Sequence, residues 1–550
     1  MFVEWPDEEL GALAVRPAKV TAGQPFGLEL VYTAGRKGVG QGGCVRFQVP
    51  QPCPPPQNRS PLQPGYVEVS CAAARTQTSF QRRGHEKDER YVTRFGHSVY
   101  VTVMSGALKA GDTITLRYGK AAGDWSAFGE GEPTRAPFFT GSFPMLMACD
   151  PTGERAAPYS GMYRCVPDAA LEVTPGEAAR QTQTPARAHT IVSSVDALGN
   201  PVGPARLRPR GVRPEEKGVF FGDLHCHSVL SDGIGRPRDC YRFARERAGL
   251  DFCAVTDHAA YLSQDDWQEC RDAAMRCDEP GAFVTLLGYE LSHPLIGDKN
   301  LYYPGTDGPL LRERNLYTDE LLPAEETVGL WKAHRALMMA HLHARHLLAF
   351  DHPELCRLVE IYSNWGCCMQ AGAIPPFLPA LRADFTGNYA LDALRRGWRV
   401  GFTAGSDDHM GRPGVSGWHR VERVYRSGLT AVYAEELTRE SVFAALWARH
   451  TYATTGARMY LHWTLEGKRP GEVCAVGAGA LQGVLRIAAQ PGRAQLLVDG
   501  RPVWSAEVDQ PRTACDVRLP AQTGACYLHY TQRDGHQGWT SPIYLEEEPT

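Results

Sequence analysis

The chain has 550 residues, 43% of them hydrophobic and 22% charged, a composition that excludes wholesale disorder and a single small module and suits about three or four domains. Its 58 Lys plus Arg against 62 Asp plus Glu leave a formal charge of −4, so there is no global positive field to hold nucleic acid or an anionic membrane. No apolar run approaches the roughly 18 residues needed to cross a bilayer. The acidic opening MFVEWPDEELGALAV is unlike a secretory leader, and the sixteen cysteines contain no CxxC pair, which together point to a cytoplasmic protein with reduced thiols.

Residues 1–200 read as short strands between Gly and Pro clusters: PFGLELVYTAG, GCVRFQV, GYVEVSC, HSVYVTVM and DTITLRYG. Their β-branched and aromatic content predicts an N-terminal β-sandwich-like domain. A Pro-rich linker follows over 201–217, and its Arg206, Arg208, Arg210 and Arg213 read as a solvated run, not a nucleic-acid patch.

From 218 to 455 the pattern becomes apolar runs alternating with helical stretches, as in βα units around a parallel sheet. Seven such runs occur: VFFGDLH, DFCAVT, FVTLLGYE, ALMMAH, RLVEIYS, RVGFTAG and TAVYAE. Seven units suggest a closed or nearly closed α/β barrel. Cys240, Phe243, Ala244 and Ala248 give RPRDCYRFARERAG an apolar helical face with Gly249 as its stop, and ESVFAALWARH closes the series. After YATTG, residues 456–550 return to strands, which predicts a smaller C-terminal β-sandwich-like domain.

Histidine is unevenly spread, with 11 of 18 between residues 225 and 419. Side chains of metal-ligand type fall at the carboxyl ends of the predicted strands, where barrels place their sites. The first strand ends in His225 and His227, which face one side of an extended backbone while Cys226 points away, arguing against Cys226 as a nucleophile. The second ends in His258, the third in Glu290, the fourth in His341 and the sixth in Asp407 and His409. Any one of these could be structural: His258 a hydrogen-bonded core histidine, Asp407 a helix cap. Five strand ends with ligand-type residues together favour a metal centre.

The order HxH, SDG, TDH, GYE, AH and SDxH resembles the polymerase and histidinol phosphatase family, known as PHP, whose domain is a distorted seven-stranded βα barrel holding up to three metal ions. The resemblance covers roughly residues 218–455, and no polymerase portion is present. It implies one metal on His225, His227, Glu290 and Asp407, a second bridged by Glu290 with His341, and a third on Asp232, His258 and His409. Mixed imidazole and carboxylate ligands suit zinc, manganese or iron(II). The family commonly carries a further histidine between the GYE and AH motifs; here LSHPLIGDKNLYY places Asp298 at that point, with His293 as the competitor. His343 and His346 read as supporting or core residues, and Glu360 as a residue that orients a ligand.

The expected chemistry is hydrolysis by metal-bound hydroxide at a di- or trinuclear site. The resemblance implies a phosphoesterase acting on a phosphorylated small molecule, with Asp407 and His409 acting through the metals. Among the basic residues Arg236, Lys299, Arg345 and Arg412, Arg412 is favoured to meet substrate oxygens, because it follows His409 by three residues in a Gly- and Pro-bounded loop. The alternatives are hydrolysis of an amide or glycan linkage, or a non-enzymatic, metal-stabilised interaction module. No GxSxG elbow, Walker A loop or strand-to-helix GxGxxG supports other chemistry.

Overall fold

A computed structural model describes residues 7–50, 53–81, 96–119, 131–145, 147–152, 169–293, 297–311, 324–341, 352–376, 386–415 and 427–548. The chain divides into two compact units, Met1–Thr182 with Ser193–Pro204, and Gln183–Val192 with Ala205–Thr550. The protein is strand-rich, with few helices.

In the first unit the predicted runs form two four-stranded antiparallel sheets. Gly11–Arg16, Leu28–Ala34, Thr113–Tyr118 and Val67–Cys71 make one, in that order; Met147–Asp150, Cys44–Pro50, Gly96–Gly106 and Ala74–Gln81 make the other. Leu28, Leu30, Tyr32 and Ala34 are buried at every second position, as a strand with one face on a core requires.

The second unit opens with residues 189–192 paired antiparallel to Arg206–Pro209. The four arginines are not one solvated run. Arg206 and Arg208 are exposed, whereas Arg210 and Arg213 close at 2.9 and 2.8 Å on the buried carboxylate of Glu216. Burying that carboxylate requires such partners, which the Pro-rich sequence did not reveal.

All seven apolar runs are strands, and we label the elements from here: β1 Val219–Asp223, α1 Pro237–Glu246, β2 Phe252–Val255, α2 Gln264–Arg276, β3 Val284–His293, β4 Gly297–Tyr303, α3 Ala324–Ala333, β5 Leu337–His341, β6 Cys356–Ser363, α4 Ala390–Arg395, β7 Gly401–Ala404, β8 Leu429–Tyr433, α5 Arg439–Trp447 and β9 Thr451–Thr454. The sheet order is β7-β6-β5-β4-β3-β2-β1-β8-β9. β7 also reaches β8 through the Thr430 side chain: Ala404 N donates to Thr430 Oγ1 at 3.0 Å, and Thr430 Oγ1 donates to Ala404 O at 2.7 Å.

A regular alternation of parallel strands and helices is corrected. The pairs β1/β2, β2/β3, β5/β6 and β6/β7 are parallel. However, β4 lies antiparallel between β3 and β5, and β8 is antiparallel to β1. Only five α-helices, of six to thirteen residues, accompany these strands among the described residues. The sequence GDKNLYY of β4 opens with four polar or small residues and so lacks an apolar run, although it is buried throughout.

Local signals fix several element ends. Pro237 at the first turn presets α1, and Gly249 at φ 64° follows its end. Ser263 and Asp266 form a reciprocal capping box on α2. Thr438 caps α5 by accepting from Ser441 N at 3.2 Å. The strands beyond residue 455 continue the same sheet: β9 pairs with Gln537–Thr540, which leads through Gly524–Gln532 to Gly492–Val498 and Arg501–Val508. Tyr460–Leu465, Leu481–Ala488 and Arg512–Leu519 form a separate three-stranded sheet.

Candidate metal centre

The carboxyl ends of β1, β2, β3, β5 and β7 bring the predicted ligand residues together. His225 and His227 follow β1, and their Nε2 atoms lie 3.3 Å apart. His225 Nε2 is 3.2 Å from Glu290 Oε2 and 3.3 Å from Asp407 Oδ1; His227 Nε2 is 3.2 Å from each. Four atoms converge, and the five measured edges are nearly equal. Ligands about 2.0–2.1 Å from a common centre at tetrahedral angles lie about 3.3 Å apart, so the spacing of His225, His227 and Asp407 suits a metal ion. Two facing imidazole nitrogens have room for only one proton between them, and a cation resolves that conflict.

Two neighbouring groups share these residues. Asp232 Oδ1 lies 3.2 Å from His409 Nε2, 3.5 Å from His258 Nε2 and 3.9 Å from His227 Nδ1. Glu290 Oε1 lies 3.3 Å from His341 Nε2. The three candidate groups are therefore His225, His227 and Asp407; His225, Glu290 and His341; and His227, Asp232, His258 and His409.

Charge explains the titration of the cluster. Burial alone would depress His225 and His227, but the carboxylates outweigh it: Asp407, Glu360 and Glu290 hold His225 well above its usual range, and Asp407, Glu290 and Asp232 raise His227 to about 10. Burial would push Glu290 and Asp407 up, yet the surrounding imidazoles hold both well below the usual carboxylate range.

Supporting contacts aim these ligands. Both Glu360 oxygens sit 3.2 Å from His225 Nδ1, which leaves Nε2 facing the centre. Gly405 makes this contact possible, since a Cβ there would lie 2.5 Å from Glu360 Oε2. Trp365 Nε1 donates to Asp407 Oδ2. Asp407 has φ 50°, a left-handed conformation that costs a non-glycine residue roughly 1–2 kcal/mol, and its N–H donates to His225 O at 2.8 Å. Asp257 accepts from Ser228 N, Ser228 Oγ and Ser231 Oγ at 2.6–2.7 Å, tying the loop after His227 to the end of β2. Asp223 accepts from His225 N, Ser406 N and Gly414 N. Sequence reasoning missed Trp365, Asp257 and Asp223; only the one- or two-residue spacing of the last two from His258 and His225 hinted at them.

Other expected residues lie elsewhere. Asp298 is buried on β4 opposite Ser292, but it belongs to none of the three groups. Lys299 is fully buried with no partner for its ammonium, and burial lowers its pKa. Arg236 is held by Glu269 at 2.7 Å on the surface. Arg412 is fixed through its N–H, which donates to Asp408 Oδ2. Cys226 is buried and donates to Ala254 O; its side-chain hydrogen bond with Cys253 and its burial push the thiol up. His343, Arg345, His346 and the side chain of His293 lie outside the described residues.

A family described as "Protein of unknown function (DUF3604)" matches residues 397–464, the stretch that holds Asp407 and His409. An uncharacterized protein of Chlamydia pneumoniae is 26% identical over 360 residues, covering 60% of this chain and 57% of the relative. One from Chlamydia trachomatis is 25% identical over 369 residues with the same coverage. The chain thus spans little more than half the length of these curated relatives. A two-domain protein from Bacteroides vulgatus, described as containing a predicted PHP-like metal-dependent phosphoesterase, aligns over 59% of this chain and 95% of its own at 15% identity and a TM-score of 0.31. That score is too low to establish fold or function.

Proposed function

We propose that the chain is a metal-dependent hydrolase that cleaves a phosphoester, on a central scaffold that is a distorted seven-stranded barrel of the PHP type. The three overlapping ligand groups, His225 with His227 and Asp407, His225 with Glu290 and His341, and His227 with Asp232, His258 and His409, carry this proposal. The sheet order and the side-chain bonds joining β7 to β8 support the barrel. When bound, zinc, manganese or iron(II) ions supply Lewis-acid activation of water and neutralise charge on phosphoryl oxygens.

The chain's own residues prepare that chemistry. Glu290 and Asp407 stay ionised because imidazoles surround them. Glu360 and Trp365 orient His225 and Asp407. The fixed backbone of Arg412 lets its guanidinium serve as the ligand for substrate oxygens. No side chain needs to form a covalent intermediate, since the one thiol in the ligand loop donates to Ala254 O. The substrate is a phosphorylated small molecule. No described helix is long and apolar enough to cross a membrane; the described cysteines are all free, which supports a reducing, cytoplasmic setting.

The test is single-turnover hydrolysis in oxygen-18 water, using metal-reconstituted protein and a panel of phosphomonoesters, phosphodiesters and amides. One labelled oxygen per released phosphate and no trapped phosphoprotein are expected. Turnover of amides alone, or a trapped phosphoenzyme, overturns the proposal.

A further inference from the structure

A second space lies at the other end of β1. It is a cavity of about 790 Å3, a size that suits a small-molecule ligand. Lys217 and Gly218, just before β1, line it together with Tyr433 at the end of β8 and one side of α5. His225 and His227 follow the carboxyl end of β1, so roughly 20 Å of extended chain separates them from Gly218. The facing wall is the sheet of Tyr460–Leu465 and Leu481–Ala488, in which His462 lies directly opposite Arg486. Opposed residues of an antiparallel pair project from one face, and both of these line the cavity.

Its charge is uneven. Lys217, Arg469 and Arg486 supply three cations, and Glu435 is the single carboxylate among the lining residues. Glu472 holds Arg469 at 3.3 Å, whereas Lys217 and Arg486 are exposed and have no ion pair among the described residues. The imidazoles of the wall are neutral: burial and the Arg469 guanidinium push His450 down to about 4, and burial and Arg486 lower His462. His462 Nε2 donates to Glu215 O at 3.1 Å, so its Nδ1 keeps the lone pair and accepts.

We infer that this cavity binds a small molecule carrying a phosphate group and a hydroxyl, with Arg486 and Lys217 on the phosphate and His462 accepting from the hydroxyl. One guanidinium fork takes up both oxygens of a carboxylate, whereas a phosphate has a third oxygen for an ammonium arriving from another wall. The cavity is larger than phosphate alone requires, which leaves room for the organic part. It is separate from the metal centre, and the inference does not rest on the reaction proposed there.

Isothermal titration calorimetry of full-length, chelator-stripped protein tests this, with glucose 6-phosphate, inorganic phosphate, glucose and acetate as probes. Glucose 6-phosphate should bind more tightly than inorganic phosphate, glucose and acetate should not compete, and affinity should fall as salt rises. Arg486→Gln and Lys217→Gln should each weaken glucose 6-phosphate by about tenfold or more. Ala444→Phe, which puts a ring into the lining without altering a charge, should do the same. Asp407→Asn should leave this binding unchanged, because it alters only the metal centre. Near-ultraviolet circular dichroism reports folding; if Ala444→Phe does not fold, the two variants at exposed charges decide. Unchanged binding in Arg486→Gln and Lys217→Gln overturns the inference, as does binding lost in Asp407→Asn instead, which would assign it to the metal centre. So does the absence of binding by both phosphate probes, or acetate binding as tightly as phosphate.

Discussion

The interior of the central sheet has two halves made by the same strands. Toward the amino ends, Phe220, Phe252, Leu286, Leu337, Leu358 and Val432 fill the space with apolar volume. Toward the carboxyl ends, His225, His227, Glu290, His341 and Asp407 are almost as deeply buried, between 0% and 4% exposed. Burial is equal and its consequence opposite. Apolar side chains gain from leaving water, whereas imidazoles and carboxylates lose hydration that only protons, cations or one another can replace. One half supplies stability and the other stores a demand for a ligand.

The comparison is broken most sharply by exchanging one residue from each half. Asp407→Asn should lower phosphoester turnover by about 10^3-fold or more by emptying the metal position that Asp407 shares with His225 and His227. His409→Ala should differ, losing metal at the Asp232 group and raising KM more than it lowers kcat. If both variants keep wild-type turnover with full metal, the carboxyl half is not the site.

Phe252→Ala should cost about 3–5 kcal/mol in denaturant unfolding, while the folded fraction retains wild-type metal stoichiometry. Loss of metal from folded Phe252→Ala would mean that the two halves are not separable.

Protons sharpen the contrast further. In stripped protein, His227 is raised to about 10, from roughly 6.5 when unfolded. Its stabilising contribution is therefore full below about pH 6.5 and lost as pH rises through about 10. Glu290 and Asp407 are depressed, so theirs is present above the ordinary carboxylate range and lost in acid. Metal must displace the imidazole protons. Calorimetry at pH 8 in buffers of different ionisation enthalpy should register proton release on metal uptake, and affinity should climb with pH toward about 10. Proton-neutral binding would contradict the charge assignment.

Smaller effects test the supports. Trp365→Phe removes the N–H that meets Asp407 Oδ2 and should weaken metal affinity about 10- to 100-fold, as measured by chelator competition. Thr438→Ala removes the α5 cap and should cost about 1 kcal/mol with no change in metal binding.

Much of this was legible in the chain. Apolar runs bounded by Gly and Pro located seven of the nine strands β1–β9, since a strand buried on both faces is commonly apolar along its length. Strand-end chemistry located His225, His227, His258, Glu290, His341, Asp407 and His409, because residues just past a strand end project from a fixed rim. The helical face of Cys240 and Ala244 and the stop at Gly249 followed from a 3.6-residue period.

What the sequence could not settle depended on contacts across distance. The strand β4, antiparallel and polar at its start, has no periodic signature, and only its pairing with β3 and β5 reveals it. That Asp298 joins none of the three ligand groups is decided by tertiary approach and not by its spacing from the motifs. The partner of Asp407 comes from Trp365, 42 residues away, and the clamp on Glu216 from arginines that looked solvated. Local sequence determined which residues form strands and which chemical groups stand at their ends. Tertiary pairing decided which of those groups face one another, because register and long-range approach are fixed by packing and not by any neighbour in the chain.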